Sequence, residues 1–424
     1  MNYTENVIVP ERTLLVSLDT GEYDAEESLR ELWELAKSGG AEPIATMMQK
    51  RPSPETATCV GSGMVEEIRN FCENNEIELI IFDRELTPTQ IRNLENATDV
   101  RVVDRTMLIL DIFAQRAQSR AGKVQVEAAQ LKYLLPRLTG KGTALSRLGG
   151  GIGTRGPGET KLETDRRHIR RRIEALREQL KKIEVGRHET QRRREKDGTV
   201  TVALVGYTNA GKSTLMNLLT QAGVLAEDKL FATLDPTARA SKLPGGKTVM
   251  LIDTVGLVRR LPHHLVEAFR STLEQAATAD IILNVCDASS PEARTHLDVT
   301  NEILQSLGCG DRPVIPVLNK WDLVGDADSA LHLTGAVRIS ALKNEGIPAL
   351  LQAIEDNLPV KPVDVTALLP FAKTGIAAQL RKAGALVSEE YVAEGLLIHA
   401  RVEPREMALI KPYIVENNSE SENV

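Results

Sequence analysis

The 424-residue chain lacks the features that mark membrane, secreted and zinc-binding proteins. No apolar run reaches the roughly 18 residues of a membrane-spanning helix, and residues 1–6 show no basic stretch leading into an apolar core, so no secretory signal is predicted. The four cysteines are scattered without a Cys-x-x-Cys pair, which argues against a zinc site or a disulfide framework. Aromatic residues make up only 3%, which disfavours RNA binding on a sheet of exposed rings. The composition therefore indicates a multidomain protein of a reducing, intracellular compartment.

The charge is distributed unevenly along the chain. The formal net charge is -7, yet residues 165–196 contain 13 Lys/Arg against 6 Asp/Glu, a net of +7, so the remainder carries -14. Contact with a polyanion is therefore expected to be confined to this segment. The alternative is that the charged run is only the solvated face of a long helix.

Residues 1–105 are predicted to form a small parallel α/β domain. Strand and helix patterns alternate at short spacing, which is typical of such a sheet. The strands are predicted at 13–18, 43–48, 77–82 and 100–103, and the helices at 24–37, 64–74 and 88–96. The segment has no Gly-x-Gly-x-x-Gly and no recognisable catalytic constellation, so we interpret it as a docking or scaffold domain.

Residues 106–197 are predicted to form an antiparallel helical hairpin. Apolar residues recur at packing-seam spacing in helices predicted at 107–135 and 160–185, and residues 160–163 fit a capping box. The link at 140–158 has eight glycines in nineteen residues together with Lys141, Arg147 and Arg155. A backbone free of side chains can approach another surface closely, and the cations favour phosphate. We predict a functional tip here, with a flexible connector as the alternative.

A strand at 202–205 leads into a phosphate-binding loop, which is followed by a helix. The loop has the pattern Gly-x-x-x-x-Gly-Lys-Ser in the required strand–loop–helix context. The predicted nucleotide-binding residues of this loop are Gly206, Tyr207, Thr208, Asn209, Ala210, Gly211, Lys212 and Ser213. Lys212 is expected to neutralise the β and γ phosphates, and Ser213 to bind Mg²⁺.

A guanine-binding motif follows the strand at 314–318. It consists of Asn319, Lys320, Trp321 and Asp322. The Asp322 carboxylate can accept two hydrogen bonds from guanine that adenine cannot supply, and Asn319 can tie the segment to the phosphate loop while the Lys320 stem covers the base. The N–H groups of a further turn are predicted to face guanine O6, and its residues are Ser340, Ala341 and Leu342. The nucleotide is therefore predicted to be GTP.

Two segments between these motifs are predicted to sense the γ-phosphate. The later of the two in the chain, called the second sensor, follows the strand at 248–252 and consists of Asp253, Thr254, Val255 and Gly256. Asp253 is predicted to support the Mg²⁺ shell, and the Gly256 N–H is predicted to face the γ-phosphate. The first sensor consists of Phe231, Ala232, Thr233, Leu234 and Asp235. Thr233 is predicted to complete the Mg²⁺ shell beside Ser213, with Thr237 as its rival. The predicted catalytic residues are Lys212, Thr233 and Gly256, within a GTPase domain spanning 198–358.

Residues 359–424 are predicted to form a small α+β domain. A strand at 363–369, a helix at 371–383 and a strand at 391–402 precede a polar, acidic end that is expected to be disordered. No chemistry can be assigned to this part of the chain.

The sequence resembles the HflX family of the Obg-HflX group of GTPases. The resemblance lies in residues 206–214, 230–237, 253–256 and, most specifically, 156–165, and it covers about residues 14–358. It implies an α/β fold with an N-terminal α/β domain, a helical arm with a glycine-rich tip and a P-loop GTPase domain. It also implies binding to the large ribosomal subunit and its rRNA, and a role in splitting or rescuing ribosomes under stress. A cytoplasmic monomer is expected, with a membrane-peripheral fraction left open.

The chemistry of hydrolysis raises a separate expectation. Ras-type enzymes orient the attacking water with a glutamine directly after the Asp-x-x-Gly glycine, and this position is Leu257, which cannot hydrogen-bond. No arginine can be assigned as a finger in cis, so hydrolysis is expected to be slow and to be stimulated by the ribosome. Asn209 resembles the asparagine of GTPases that bind K⁺ beside the phosphates, which makes K⁺ a candidate cofactor alongside Mg²⁺; its alternative role is that of a turn residue.

Two other classes of function fit parts of the sequence. A GTP-dependent switch whose arm engages a non-ribosomal protein is the alternative to a ribosomal GTPase. The basic second helix and the glycine tip favour RNA, because a purely protein-binding coil more often balances its charges. An ATP-dependent enzyme is disfavoured by Asp322.

Overall fold

We analysed a computed structural model of the chain. The structure describes residues 10–138, 161–196, 198–220, 230–231, 237–260, 262, 265, 278–309, 312–325, 331, 333–359, 363–402 and 404–417. Three β-sheets and a helical arm follow one another along these residues, which confirms the predicted α/β fold class. None of the described helices is long and apolar enough to cross a membrane.

The N-terminal sheet has four parallel strands in the order β2-β1-β3-β4. The strands are β1 (Arg12–Asp19), β2 (Glu42–Lys50), β3 (Leu79–Phe82) and β4 (Arg101–Asp104), and the helices between them are α1 (Ala25–Ser38), α2 (Ser62–Asn75) and α3 (Pro88–Thr98). Alternate residues of β1 enter apolar clusters on opposite faces, with Leu15 on one face and Leu14 and Val16 on the other. Burial on both faces explains why Leu14, Leu15 and Val16 are apolar at consecutive rather than alternating positions.

The arm begins with two helices where the sequence predicted one. These are α4 (Arg105–Arg116) and α5 (Arg120–Leu134). Ala117 adopts an extended conformation, and the Ser119 side chain accepts a hydrogen bond from the Gly122 N–H, which caps a new helix. The prediction of one helix over 107–135 was therefore wrong, because the capping interaction of Ser119 competes with helix continuation.

The second half of the arm is the 36-residue helix α6 (Lys161–Lys196), which extends beyond the predicted end at residue 185. It runs antiparallel to α5: Val124 and Ala128 of α5 pack against Leu176, and Arg172 forms a bidentate pair with Glu127 at 2.7 and 2.9 Å. The glycine-rich tip and the capping threonine at position 160 lie outside the described residues.

The central sheet carries the phosphate loop and has the strand order β10-β9-β8-β5-β7-β6. Its strands are β5 (Thr201–Gly206), β6 (Thr237–Lys242), β7 (Thr248–Asp253), β8 (Ile281–Asp287), β9 (Val314–Asn319) and β10 (Val337–Arg338). All pairings are parallel except that of the edge strand β6 with β7. The described helices of this domain are α7 (Lys212–Thr220), α8 (Ala293–Ser306) and α9 (Ile347–Asp356). The carboxyl ends of β5, β7, β8 and β9 meet at one edge, where ligands bind in open α/β sheets.

The C-terminal sheet is antiparallel and has the order β12-β13-β11-β14. It contains β11 (Val363–Leu369), β12 (Leu386–Val392), β13 (Gly395–Val402) and β14 (Ile414–Asn417), with helices α10 (Gly375–Ala383) and α11 (Pro404–Ile410). The single strand predicted at 391–402 was wrong, because a two-residue turn divides the segment into a hairpin. Gly395 permits this hairpin: its φ is +158°, and an added Cβ would lie 2.3 Å from the Leu369 carbonyl oxygen.

Candidate functional site

The phosphate loop connects β5 to α7 at the carboxyl edge of the central sheet. Gly206 has φ +152°, and a Cβ there would lie 2.0 Å from the Val285 carbonyl oxygen. Gly211 has φ +89°, and a Cβ there would lie 2.2 Å from the Asn319 amide nitrogen. Both positions therefore require glycine, since a side chain would clash with the neighbouring strand ends. Asn209 also has a positive φ of 60° and is exposed at the crest of the loop.

Lys212 and Ser213, the first residues of α7, lie beneath the loop. The Lys212 ammonium is buried and donates to the carbonyl oxygens of Gly206 and Tyr207 at 3.0 and 2.8 Å. The Ser213 hydroxyl donates to Oδ2 of Asp253 at 2.9 Å, which brings an alcohol and a carboxylate oxygen together at the end of β7. Hard oxygen donors of this kind suit Mg²⁺. The described residues hold no cluster of three or more His, Cys, Asp or Glu side chains that could bind a metal.

The protonation state of Lys212 leads to a prediction about how nucleotide binding depends on pH. Burial lowers the pKa of Lys212 from 10.5 to about 8, and the Asp253 carboxylate only partly offsets this effect. Phosphates favour the charged form, so the nucleotide complex should bind a proton that the free protein lacks. At pH 8 we expect uptake of about half a proton per nucleotide, and affinity that falls as the pH rises above 8. Calorimetry in buffers of different ionisation enthalpy measures this uptake, and identical apparent enthalpies at pH 8 would contradict it.

The residues predicted to bind guanine converge on the same edge from β9 and the turn after β10. The Asn319 amide donates to the Ala210 carbonyl oxygen at 2.8 Å, so it joins this segment to the phosphate loop. Asp322 lies in the short 3-10 turn Trp321–Leu323, and the guanidinium of Arg338 lies 4.5 Å from the Trp321 ring. The Ser340 hydroxyl, and the nearby Lys343, lower the pKa of the Asp322 carboxyl. Its ionised form can only accept hydrogen bonds.

One detail of the base site differs from the sequence prediction. The Ser340 N–H donates to the Glu345 carbonyl oxygen, and the Ala341 N–H donates to Oδ1 of Asn319, both at 3.0 Å. Two of the three N–H groups that were expected to face guanine O6 therefore already have protein acceptors. The third residue, Leu342, is 83% exposed.

The second sensor is closed against the phosphate loop. A Cβ on Gly256 would lie 2.7 Å from Thr208 Cγ2 and 3.2 Å from Lys212 Nζ. The Thr208 N–H donates to the Leu257 carbonyl oxygen at 2.7 Å, and the Leu257 N–H donates to the Gly206 carbonyl oxygen at 3.1 Å. The Leu257 side chain is 1% exposed and packs in the core of the sheet. Leu257 therefore cannot orient a water molecule, because its side chain has no polar group and is buried in the core.

The first sensor is only partly described. Phe231 is buried, and Thr237 begins β6 directly opposite Asp253. The residues Ala232, Thr233, Leu234 and Asp235 lie outside the described residues, so the choice between Thr233 and Thr237 stays a prediction.

The chain is similar to known proteins along most of its length. Three family models match in succession: GTP-binding GTPase N-terminal over residues 26–114, GTP-binding GTPase Middle Region over 116–194, and 50S ribosome-binding GTPase over 201–320. The chain is 50% identical over 392 residues to the GTPase HflX of Caldanaerobacter subterraneus, covering 92% of this chain and 91% of that protein. It is 41% identical over 365 residues to the GTPase HflX of Escherichia coli, covering 85% and 86%.

The chain belongs to the HflX family of GTPases.

A solved structure of another GTP-binding protein is less similar to this chain. The GTP-binding protein of Sulfolobus solfataricus, solved in complex with GDP, is 24% identical and has a TM-score of 0.44. The match covers 82% of this chain and 98% of that one.

The N-terminal domain of this HflX-family chain packs on both sensor segments. One apolar cluster joins the N-terminal sheet, α1 and the arm helices α4 and α5 to four residues of the GTPase domain, namely Phe231, Val255, Val258 and Leu265. The rings of Phe113 and Phe231 meet edge to face with centroids 4.6 Å apart. The Leu230 N–H also donates to the Ser38 hydroxyl at 3.2 Å. The domain interpreted as a docking or scaffold domain therefore contacts both segments that are predicted to sense the γ-phosphate.

A buried polar network supplements this apolar contact. The Arg105 guanidinium, with 3% of its side chain exposed, lies 2.8 Å from Asp83 and 2.6 Å from Glu31, and it donates to the Arg259 carbonyl oxygen at 3.1 Å. The Tyr207 hydroxyl donates to Glu31 at 2.5 Å and accepts from the Arg259 N–H at 2.6 Å. Removing one member of such a network leaves a buried charge unpaired, which typically costs about 3–5 kcal/mol.

The network also places the two arginines that follow the Asp-x-x-Gly motif. Arg259 forms an ion pair with Glu292. Arg260 donates to Asp83 at 3.2 Å and to the Ser28 hydroxyl at 3.1 Å, and it lies over the Tyr23 ring. Both guanidinium groups are engaged away from the phosphate loop, so neither is an arginine finger in this arrangement.

Sequence reasoning missed the N-terminal contributors to this region: Glu31, Asp83 and Arg105. Each lies in an ordinary amphipathic helix or at a strand end, and none belongs to a recognisable motif. Their role depends on contacts between residues far apart in sequence, 154 residues from Arg105 to Arg259 and 176 from Glu31 to Tyr207, which no local pattern contains.

Proposed function

We propose that this GTPase binds the large ribosomal subunit through its helical arm and that its GTP cycle splits or rescues ribosomes under stress. GTP would bind with Mg²⁺ at the phosphate loop, and the residues holding the metal would be Ser213 together with Thr233. The cytoplasmic location expected for such a partner is consistent with four cysteines that are all free and buried.

The observation that carries this proposal is the form of α6. Its inner face is a narrow apolar seam in which Ile169, Ile173 and Leu176 are at most 7% exposed. Its outer face presents Arg170 and Arg171 to solvent. A long helix that packs along one side and carries a strong positive charge on the other is suited to the backbone of structured RNA. The match of residues 201–320 to a model described as a 50S ribosome-binding GTPase points to the same partner.

The direct test is co-sedimentation of the full chain with purified large subunits, in a non-hydrolysable GTP analogue and in GDP. We expect binding in the analogue and at least about tenfold weaker binding in GDP, since the sensor segments distinguish the two nucleotides. The absence of binding in either nucleotide would favour the protein-binding switch instead.

The hydrolysis step follows from the same geometry. Lys212 would hold the β and γ phosphates, and the Gly256 N–H would bind the γ-phosphate once the closed sensor has moved. Leu257 supplies no water-positioning group, and the two neighbouring arginines are engaged elsewhere. Hydrolysis by the isolated protein should therefore be slow until the ribosome orders the attacking water or supplies a positive charge.

A bound monovalent cation would be a second source of positive charge beside the phosphates. Asn209 is exposed with φ 60° at the crest of the phosphate loop, where its side chain could hold K⁺ beside the phosphates. We expect GTP hydrolysis about tenfold faster in KCl than in NaCl at matched ionic strength, and no such difference in Asn209→Ala. Equal wild-type rates in the two salts would eliminate the K⁺ role and leave ribosomal activation standing.

A further inference from the structure

The Lys320 side chain of the guanine-binding motif has a charged partner outside that motif. Its ammonium lies 2.8 Å from Oδ2 of Asp287, at the end of the neighbouring strand β8. The two side chains are 26% and 22% exposed. Lys320 itself has a left-handed backbone, with φ 59° and ψ 32°, which directs the chain into the 3-10 turn that carries Asp322.

Asp287 is held in place by its own surroundings. Its other carboxylate oxygen, Oδ1, accepts hydrogen bonds from the Ser289 N–H at 3.0 Å and from the Ser289 hydroxyl at 2.6 Å. Asp287 is also in register with Asn319 across the β8–β9 pair, and the Ala288 N–H donates to the Asn319 carbonyl oxygen at 2.8 Å. One oxygen therefore fixes the turn, and the other is presented to Lys320 from a rigid strand end.

We propose that Asp287 is a positioning residue for guanine, which acts by fixing the Lys320 side chain before the nucleotide arrives. This inference rests on the proposed role of Lys320 as the cover of the base. A free lysine stem has many rotamers, and their loss on binding opposes affinity. An ion pair at the end of the stem restricts those rotamers in advance. Because GTP and GDP share the same base, Asp287 should contribute equally to the binding of both and leave the chemical step unaffected.

The test compares nucleotide binding by the full-length wild type and by Asp287→Asn, Lys320→Met and the double variant. The asparagine keeps an oxygen for Ser289 and removes only the charge that faces Lys320. We expect Asp287→Asn to weaken GDP and a GTP analogue alike by about tenfold, with kcat at saturating GTP within about twofold of wild type. The double variant should bind no more weakly than Lys320→Met alone, because both changes remove the same effect.

Three controls separate positioning from a structural role. Asp287→Glu keeps the charge and should recover most of the affinity. Ser289→Ala removes the hydroxyl hydrogen bond of the turn but keeps the ion pair, so it should lower the melting temperature more than the affinity. Asp298→Asn removes an exposed carboxylate that lies 3.7 Å from Arg294 on α8, and it should change neither property.

The outcomes distinguish this inference from the proposed function. Wild-type affinity in Asp287→Asn, or losses that add fully in the double variant, would show that Asp287 does not act through Lys320. Wild-type affinity in Lys320→Met would instead contradict the assignment of the base site. A loss of kcat without a loss of affinity in Asp287→Asn would also overturn the inference.

Discussion

Replacing Asp322 by asparagine should weaken GTP binding by about 100-fold or more and create a preference for xanthosine triphosphate. The ionised carboxylate can accept two hydrogen bonds from the guanine N1–H and N2–H₂ groups, and charge-assisted bonds of this kind are stronger than bonds between neutral groups. The asparagine amide exchanges one acceptor for a donor, which suits the carbonyl oxygen that xanthine carries in place of the guanine amino group.

The surroundings of Asp322 favour this outcome. The Ser340 hydroxyl lowers the pKa of the carboxyl, with a further contribution from Lys343, whose ammonium lies 3.7 Å away. The acceptor form is therefore the one present at neutral pH, before any nucleotide binds. Asparagine at position 322 has nearly the same shape, so the change in specificity should come without a large loss of folding.

Titration with fluorescent GTP, XTP and ATP analogues measures this shift. Asp364→Asn is the matched control, because its carboxylate pairs with Arg401 on the C-terminal sheet, 3.0 Å away. It should leave all three affinities unchanged. Unaltered GTP affinity in Asp322→Asn would mean that Asp322 does not recognise the base.

Local patterns were sufficient to predict the four strands of the N-terminal sheet and to bring the nucleotide motifs together. The strand predicted at 202–205 is β5, and the motifs that follow β5, β7 and β9 meet because the carboxyl ends of parallel strands share one edge. The Asn319 bond to the phosphate loop follows from the same rule. The failures lie where a single side chain decides the backbone, as with the Ser119 cap that divides the first arm helix.

The contacts between domains were beyond local reasoning. The buried guanidinium of Arg105 joins Glu31 and Asp83 to the segment after the Asp-x-x-Gly motif. Taken singly, these are an arginine and two acids on a domain surface, and only tertiary packing makes them a buried network. Asp287 was missed for a related reason, since its partner Lys320 directly follows the neighbouring strand of the sheet and is not nearby in sequence.

The arm is the other part of the chain where a large effect is expected. Shortening the tip between residues 142 and 158 should abolish binding to the large subunit and leave GTP affinity within about twofold of wild type. The tip joins α5 to α6, whereas the nucleotide site lies in the central sheet. Its glycines and its arginines at 147 and 155 make it the part of the arm best suited to close contact with RNA. Retained subunit binding in the shortened protein would identify the tip as a connector.

The arginines of α6 allow the charge contribution to be measured separately from the tip. Arg166 donates to the Leu138 carbonyl oxygen at 2.9 Å and Arg172 pairs with Glu127, so these two stabilise the hairpin. Arg170 and Arg171 are exposed. Replacing both by glutamine should weaken subunit binding at least about tenfold at low salt and reduce the slope of log K against log salt by about 2, because fewer counterions are released.

Arg30→Gln provides the control for this charge effect. Its guanidinium is an exposed charge of the N-terminal domain, paired with Glu27 at 2.8 Å, and its loss should not change the salt slope. Because the helix propensities of arginine and glutamine are close, the double variant should keep the fold of α6, which circular dichroism checks. An unchanged affinity and an unchanged slope in the double variant would show that the outer face of α6 is only solvated. The tip or another surface of the chain would then make the contact with RNA.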